Sequence, residues 1–271
     1  MSLEAAERAV RDGDLQSSLR LLQDQIRQQP ARSDLRVFLF QLLSVMGQWE
    51  RALTQLNVAA DLDAKTLAMA QMYREAIHCE LLRADVFAGK TSPVVFGQPE
   101  EWLALLIESL LVHGRARPQE AQTLRERAFE LAPATTGSLD GQAFEWIADG
   151  DMRLGPVCEA VLNGKYYWLP FARLARIDLE PPVDLRDFVW MPAHFEFANG
   201  GDAVGVIPTR YPGSENADEP ALSLARKTVW REDTPEMFVG IGQRILATDS
   251  GEHPIMDVRS ILLGDGANAP E

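Results

Sequence analysis

The sequence predicts an α+β fold, in which helical repeats at the N-terminus precede a domain with a mostly antiparallel sheet. Three observations support this class. A motif recurs after 34 residues near the N-terminus, apolar residues keep a helical period to about residue 131, and short apolar runs alternate with turn sequences from about residue 137. A run of helices followed by a run of strands is typical of α+β proteins.

The repeated motif lies in residues 1–90. Gly13-Asp14-Leu15 recurs as Gly47-Gln48-Trp49, and at the same offset the small residue Ser18 corresponds to Ala52. Glycine can end one helix and start the next, and small residues let paired helices approach closely. A period of 34 residues is that of tetratricopeptide repeats. The sequence therefore predicts tetratricopeptide-like hairpins, although two unrelated amphipathic hairpins would also produce this pattern.

A third helix and a boundary follow the two repeats. Apolar residues from Ala70 to Ala84 keep the helical period and predict a third or capping helix, because a repeat array must cover its end. Residues 89–99, GKTSPVVFGQP, contain two Gly and two Pro and mark a domain boundary. We therefore expect a repeat domain at 1–90, an acidic α+β domain at 95–263 and a flexible tail at 264–271.

Within the second domain the pattern predicts two helices and then strands. The helices are expected at 100–113 and 118–131. Turn sequences at 163–164, 199–201 and 249–251 lie between strand-like runs and predict hairpins. Further strands are expected at 174–179, 188–191 and 222–230.

Charge and composition exclude several kinds of partner. The net charge of the chain is −14, of which residues 1–90 carry −1 and residues 91–271 carry −13. An acidic domain repels phosphate groups, so we expect neither nucleic acid nor an acidic membrane surface as a partner. The N-terminus lacks the pattern of a secretory signal, and both cysteines, Cys79 and Cys158, lie in periodic apolar segments. Buried free thiols and a cytoplasmic location are the expectation.

The sequence carries no recognisable catalytic or cofactor motif. It contains no G-x-x-x-x-G-K-[ST], G-x-G-x-x-G, H-E-x-x-H or G-x-S-x-G. The spacing of His194 and Glu196 matches the H-x-E of zinc deaminases, but the P-C-x-x-C that completes such a site is absent. We therefore expect no catalytic residue, no cofactor and no metal. An enzyme of unrecognised type, with a pocket near His194, Arg210 and Asp249, is a minor alternative.

Two stretches are unusual and supply most of the candidate binding residues. Residues 188–215 concentrate aromatic residues and arginine around Gly and Pro, and residues 222–231 place basic residues in an acidic domain. Trp, Tyr and Arg dominate binding hot spots, although sheet core, turns and internal ion pairs would explain the same residues. Positions on the first helices of the repeats would face the concave side. The candidate partner-binding residues are Arg36, Phe40, Tyr73, Trp190, His194, Arg210, Tyr211, Arg226, Trp230, Gln243 and Arg244.

These stretches also carry a family resemblance that extends over nearly the whole chain. The strings WMPAHFEFANGGDAVGVIPTRYPGSE, LARKTVW and GIGQRILATDSGEHPIMDVRSILL resemble the ImpE family, also called SciE-type or TagJ, accessory proteins of bacterial type VI secretion. The resemblance implies a cytoplasmic, non-enzymatic accessory factor. In that family some members bind a helix of the small subunit of the contractile sheath and link to the ClpV ATPase that recycles the sheath.

The resemblance leaves the mode of action open. A tetratricopeptide-like stack offers a concave groove for an amphipathic helix, which favours an adaptor that binds the small sheath subunit and the ClpV-type ATPase. Two hairpins make only a shallow groove, so the stack would equally serve to dock the acidic domain or to dimerise. The alternative function is a sheath or baseplate assembly factor that acts through homo-oligomerisation.

Overall fold

The computed structural model describes residues 3–264. Its N-terminal half is helical, as the sequence predicts. The tail expected at 264–271 lies outside the described residues except for Gly264. The α-helices are α1 (Leu3–Arg11), α2 (Leu15–Gln28), α3 (Ser33–Val45), α4 (Trp49–Leu62), α5 (Leu67–Phe87), α6 (Glu101–Gly114), α7 (Pro118–Leu131) and the short α8 (Pro220–Ser223).

The first four helices form the two predicted hairpins. Gly13 and Gly47 connect the helices of each pair with φ angles of +82° and +65°, a backbone region that favours glycine. The hydroxyl of Ser18 donates to the carbonyl of Ala6 at 2.8 Å, and Ala52 is fully buried. Small residues thus allow the close approach that the repeat pattern requires.

The third copy of the repeat differs from the first two. The 34-residue offset places Leu81 where Gly13 and Gly47 make their turns. Helix α5 continues through this position without a turn, from Leu67 to Phe87. The third repeat therefore supplies one long helix, the predicted third helix, and no immediate partner helix folds back on it.

Residues 137–263 form three antiparallel sheets. Eight strands make the main sheet, in the order β2-β1-β13-β6-β7-β8-β4-β5. Strands β9 and β10 form a separate ribbon, and β12-β11-β3 form a third sheet. The strands are β1 (Gly137–Leu139), β2 (Gln142–Phe144), β3 (Ile147–Asp149), β4 (Val157–Leu162), β5 (Lys165–Pro170), β6 (Leu174–Leu179), β7 (Trp190–Phe197), β8 (Asp202–Pro208), β9 (Thr228–Thr234), β10 (Met237–Gly242), β11 (Ile245–Thr248), β12 (Gly251–Pro254) and β13 (Ser260–Leu263).

All three predicted hairpin turns join paired strands, whereas two predicted strands begin late. The strand expected at 188–191 begins at Trp190, because a 3-10 helix with a capping box occupies Leu185–Phe188. The strand expected at 222–230 begins at Thr228, because Pro220 starts α8 and the chain then turns. Proline at the first helical position favours that helix over a strand.

The main sheet lies between the helices and the small third sheet. Strand β4 shows why, since its residues alternate between two cores. Val157 and Val161 belong to the apolar cluster that includes the repeat helices. Cys158, Ala160 and Leu162 point to the other face, where they pack with residues of the third sheet. The repeat helices therefore share one core with the face of the sheet that is turned toward them, and the other face packs in a second core.

A buried ionic cluster joins the two halves. We use this name for Arg83 of α5, Glu159 of β4, Arg244 and Asp149. Arg83 donates to both carboxylate oxygens of Glu159, at 2.7 and 3.0 Å. Arg244 donates to Glu159 and to Asp149, and the hydroxyl of Tyr166 also donates to Glu159. The four charged residues are at most 4% exposed. Each therefore depends on hydrogen bonds and opposite charges of its partners to replace the hydration that it loses on burial.

The charge of Glu159 makes stability depend on pH. Burial alone would raise the pKa of Glu159, but attraction by Arg83 and Arg244 outweighs it and lowers this pKa to about 2. A carboxylate whose folded-state pKa lies below its unfolded value stabilises the fold above the unfolded pKa and loses that effect as the pH falls. We expect the difference in unfolding free energy between the wild type and Glu159→Gln to shrink as the pH falls from about 4.5, measured by urea denaturation. A difference that stays constant from pH 6 to pH 3 would contradict this assignment.

Candidate partner-binding groove

The side of the repeat helices that was expected to contact a partner is covered by the protein's own sheet. Trp190 lies in the interior, with its ring centroid 5.5 Å from that of Tyr73 and 5.9 Å from that of Trp49. The ring of Tyr73 is 5.8 Å from that of Phe40, and the indole of Trp190 donates to Glu80 at 3.0 Å. Phe40, Tyr73 and Trp190 are at most 4% exposed. The prediction that these three residues bind a partner is wrong, because they pack the sheet against the repeat helices.

Three further candidates are also interior residues. The guanidinium of Arg210 donates to the carbonyls of Ser44 and Val45, at 2.9 and 2.6 Å, at the C-terminus of α3. A cation is favoured there because the last carbonyls of a helix lack partners. Tyr211 packs beneath Arg244, which belongs to the ionic cluster. Arg210, Tyr211 and Arg244 are at most 2% exposed, so they support the fold and lie out of a partner's reach.

Four candidates make internal contacts but stay partly accessible. Arg36 donates to a glutamine side chain of α4 at 2.7 Å, and Arg226 to a carbonyl at the end of α1 at 2.7 Å. Gln243 donates to a backbone carbonyl at 2.7 Å. Trp230, on the ribbon, is 36% exposed and lies 5.6 Å from the ring of Tyr211. Gln243 and Arg226 lie next to each other, because Gln243 bonds to the backbone on both sides of Arg226, whereas Arg36 lies apart on α3.

The residues of the enzyme alternative do not meet. His194 lies on the open face of β7, Arg210 lies at the end of α3, and the carboxylate of Asp249 accepts from the backbone N–H of Glu145 at 2.7 Å. Within residues 3–264, no group of three or more His, Cys, Asp and Glu side chains is placed to hold a metal. Burial raises the pKa of the thiols of Cys79 and Cys158 to about 12, which disfavours the reactive thiolate.

An open groove of about 880 Å³ lies between α5 and the main sheet. Its helix wall is the N-terminal half of α5, and its sheet wall is formed by β6, β7, β8 and β4. The turn at 163–165 borders it at one end. The C-terminal half of α5 packs on the sheet, with the thiol of Cys79 3.6 Å from the carbonyl of Gly164. The helix and the sheet therefore separate toward the start of α5. Val204 and, in part, Pro192 are accessible there, whereas Val161 and Val206 stay buried.

The floor of the groove is an apolar row across the sheet. Pro192 of β7 pairs with Val206 of β8, which pairs with Val161 of β4. Met72 and Ala76 of α5 face this row from the helix wall. Directly paired residues of adjacent strands have side chains on the same face, so the row is continuous across three strands. Met72 is 41% exposed.

A second row lies beside the floor. Asp178 of β6 pairs with His194 of β7, which pairs with Val204 of β8. Val204 is 73% exposed. His194 lies 3.6 Å from the carboxylate of Asp202. This row places the predicted residue His194 in the groove, and among the eleven candidates only His194 lines it.

The rim of the groove is acidic. Glu75 projects from α5 and Glu180 from the end of β6, and Lys165 is the basic residue of the lining. Asp178 is engaged by Arg176 at 2.7 Å and by Ser260 at 2.8 Å. In contrast, no salt bridge to another described residue neutralises Glu75 or Glu180. An apolar floor with acidic edges is suited to a partner that has an apolar stripe with basic edges.

Sequence reasoning missed most of this groove. Met72, Glu75 and Glu180 were not singled out, because each belongs to an ordinary helix or strand pattern. One signal was present. Val204 lies two residues before Val206 and therefore on the same face of β8, so the strand is apolar on the face toward α5 as well as on the opposite face, where Ile207 lies. Strands that are apolar on both faces are typical of covered sheets.

Fold and groove together define a class, a helical-repeat protein docked on an antiparallel sheet with an open, amphipathic groove. Comparisons with known proteins agree on the family. A family model described as ImpE protein matches residues 141–262. The type VI secretion system accessory component TagJ of Pseudomonas aeruginosa (strain PAO1) is 46% identical over 256 residues, which cover 94% of this chain and 90% of the relative.

The fold is shared with a solved structure. The crystal structure of protein VPA1032 from Vibrio parahaemolyticus is 25% identical, with a TM-score of 0.87, and the match covers 96% of this chain and 98% of that chain. The chain belongs to the ImpE family, the type VI secretion accessory components that include TagJ. Across residues 3–264, every helix is too short or too polar to cross a membrane.

Proposed function

We propose that this protein is a non-enzymatic, cytoplasmic adaptor of the type VI secretion system. It binds an amphipathic helix of the small sheath subunit and links that subunit to the ClpV-type disassembly ATPase. The observation that carries the proposal is the open groove of about 880 Å³ between α5 and the sheet. Membership of the ImpE family supplies the secretion system in which the partner is sought.

The geometry supports capture of a helix. An amphipathic helix lays its apolar face into a hydrophobic groove, as several peptide-binding proteins do. The exposed apolar residues Met72 and Val204, with the half-buried Pro192, offer such a face, and α5 supplies one wall. The concave side of the repeats is not available for this purpose, because Trp190 packs there against Tyr73. The groove beside α5 is therefore the favoured site.

Calorimetric titration tests the proposal. The full chain is titrated with a synthetic peptide that spans the N-terminal helix of the small sheath subunit from the same organism. We expect saturable binding with a dissociation constant on the order of micromolar, an affinity reached by small interfaces. A scrambled peptide of the same composition is the control.

Two results would contradict the adaptor. No heat and no competition at high peptide concentration would exclude capture of this helix. If sedimentation then showed a stable oligomer, the assembly factor that acts through homo-oligomerisation would replace the adaptor. Peptide binding without any effect on association of the sheath subunit with the ATPase, measured by co-sedimentation, would remove the linking role alone.

A further inference from the structure

We propose that the groove selects its helix by charge: the ligand is an amphipathic helix whose apolar stripe is flanked on both sides by lysine or arginine. Glu75 and Glu180 are the residues that pair with these basic side chains. This inference rests on the proposed function, because it names the chemistry of the helix that the groove accepts. It concerns side chains to which no role is otherwise assigned.

The first step concerns the position of the two carboxylates. Glu75 lies on the helix wall, one turn from Met72 and next to Ala76. Glu180 lies on the sheet wall, where its backbone N–H donates to the carbonyl of Pro192 in the floor. The two acids thus stand on opposite sides of the apolar floor. A helix seated on that floor presents the residues flanking its apolar stripe to both of them.

The second step concerns the state of these carboxylates. Inside the described part of the chain, Asp178 is held by Arg176 and Ser260. Glu75 and Glu180 form no salt bridge there, although Lys165 also lines the groove. A charged pair at the rim of an interface contributes modestly to affinity but strongly to specificity and to the association rate. Two unpaired acids beside an apolar surface therefore favour cationic partners and repel acidic ones.

The third step excludes other occupants. The groove repels phosphate groups, so nucleic acid and anionic lipid are disfavoured. Residues outside the described range, Met1, Ser2 and DGANAPE, contain no lysine or arginine, so these two segments lack the required flanks. A second copy of the chain is the remaining occupant, and the experiment below separates it from a foreign helix.

The test compares two double variants of the full chain. Glu75→Gln with Glu180→Gln removes the two rim charges, and Glu145→Gln with Glu252→Gln removes two exposed charges outside the groove. Each is titrated with a fluorescent peptide of the small sheath subunit's helix, at about 50 and 300 mM salt. We expect the groove variant to bind roughly tenfold more weakly at low salt and to lose most of the salt dependence. The control variant should match the wild type.

Each outcome separates this inference from the proposed function. If the peptide binds the wild type and the groove variant with equal affinity and equal salt dependence, the inference fails and the adaptor role stands. If the peptide does not bind the wild type, both fail. If the wild type self-associates in sedimentation and the groove variant does not, the occupant is a second copy, and the inference is overturned in favour of a homotypic interface.

Discussion

Replacement of Glu159 by glutamine is expected to lower the free energy of unfolding by about 3–5 kcal/mol, the usual cost of removing one partner of a buried ion pair. The variant keeps the shape of the side chain but removes the charge that both Arg83 and Arg244 require. Two positively charged guanidinium groups would then lie in the interior with one carboxylate fewer to balance their charge. Urea denaturation of the full chain, followed by circular dichroism, measures the change.

The matched control is Glu130→Gln. Glu130 pairs with Arg127 at 3.0 Å on the surface of α7, where the two side chains are 67% and 55% exposed. A surface pair contributes about 0–1 kcal/mol, so this variant should unfold close to the wild type. If the two variants were destabilised equally, the ionic cluster would not be the link between the halves that its geometry indicates.

Replacement of Val204 by arginine is expected to weaken binding of the sheath-subunit helix roughly thirtyfold, or about 2 kcal/mol. Val204 is 73% exposed, so the variant should fold normally. Its long side chain would occupy space beside the apolar floor and place a positive charge where the ligand presents its own. Titration with the same helical peptide measures the loss.

Val183→Arg is the control for this second experiment. Val183 is 87% exposed and does not line the groove. This variant therefore introduces the same arginine at an exposed valine outside the proposed binding site. Its affinity for the peptide should equal that of the wild type, and both variants should share the wild-type unfolding midpoint. Normal binding by Val204→Arg would place the helix elsewhere on the protein.

Local patterns predicted the elements of this fold well. The 34-residue repeat predicted the hairpins at Gly13 and Gly47, and the Asn-Gly turn at 163–164 predicted the pairing of β4 with β5. These features depend on residues close in sequence, which a pattern records. The failures at 188–191 and 222–230 also have local causes, because a capping box and Pro220 override strand propensity.

The candidate site was predicted poorly for a different reason. The aromatic and arginine residues that suggested a binding surface, such as Trp190 and Arg210, lie where the two halves of the chain meet. Residues that anchor one part of a chain to another have the same composition as residues that anchor a partner. Sequence does not show which side of a helix a distant sheet will cover, so His194 was found in the groove while Val204 and Glu75 were missed.

The shared core of repeats and sheet also has a mechanical meaning. A helix seated between α5 and the sheet would touch both halves at once, and Arg83 and Glu159 connect those halves farther along α5 and β4. Tension applied to the bound helix would therefore enter a rigid body through two walls, and no linker between domains would stretch first. Such an arrangement suits a protein that must stay attached while its partner is pulled.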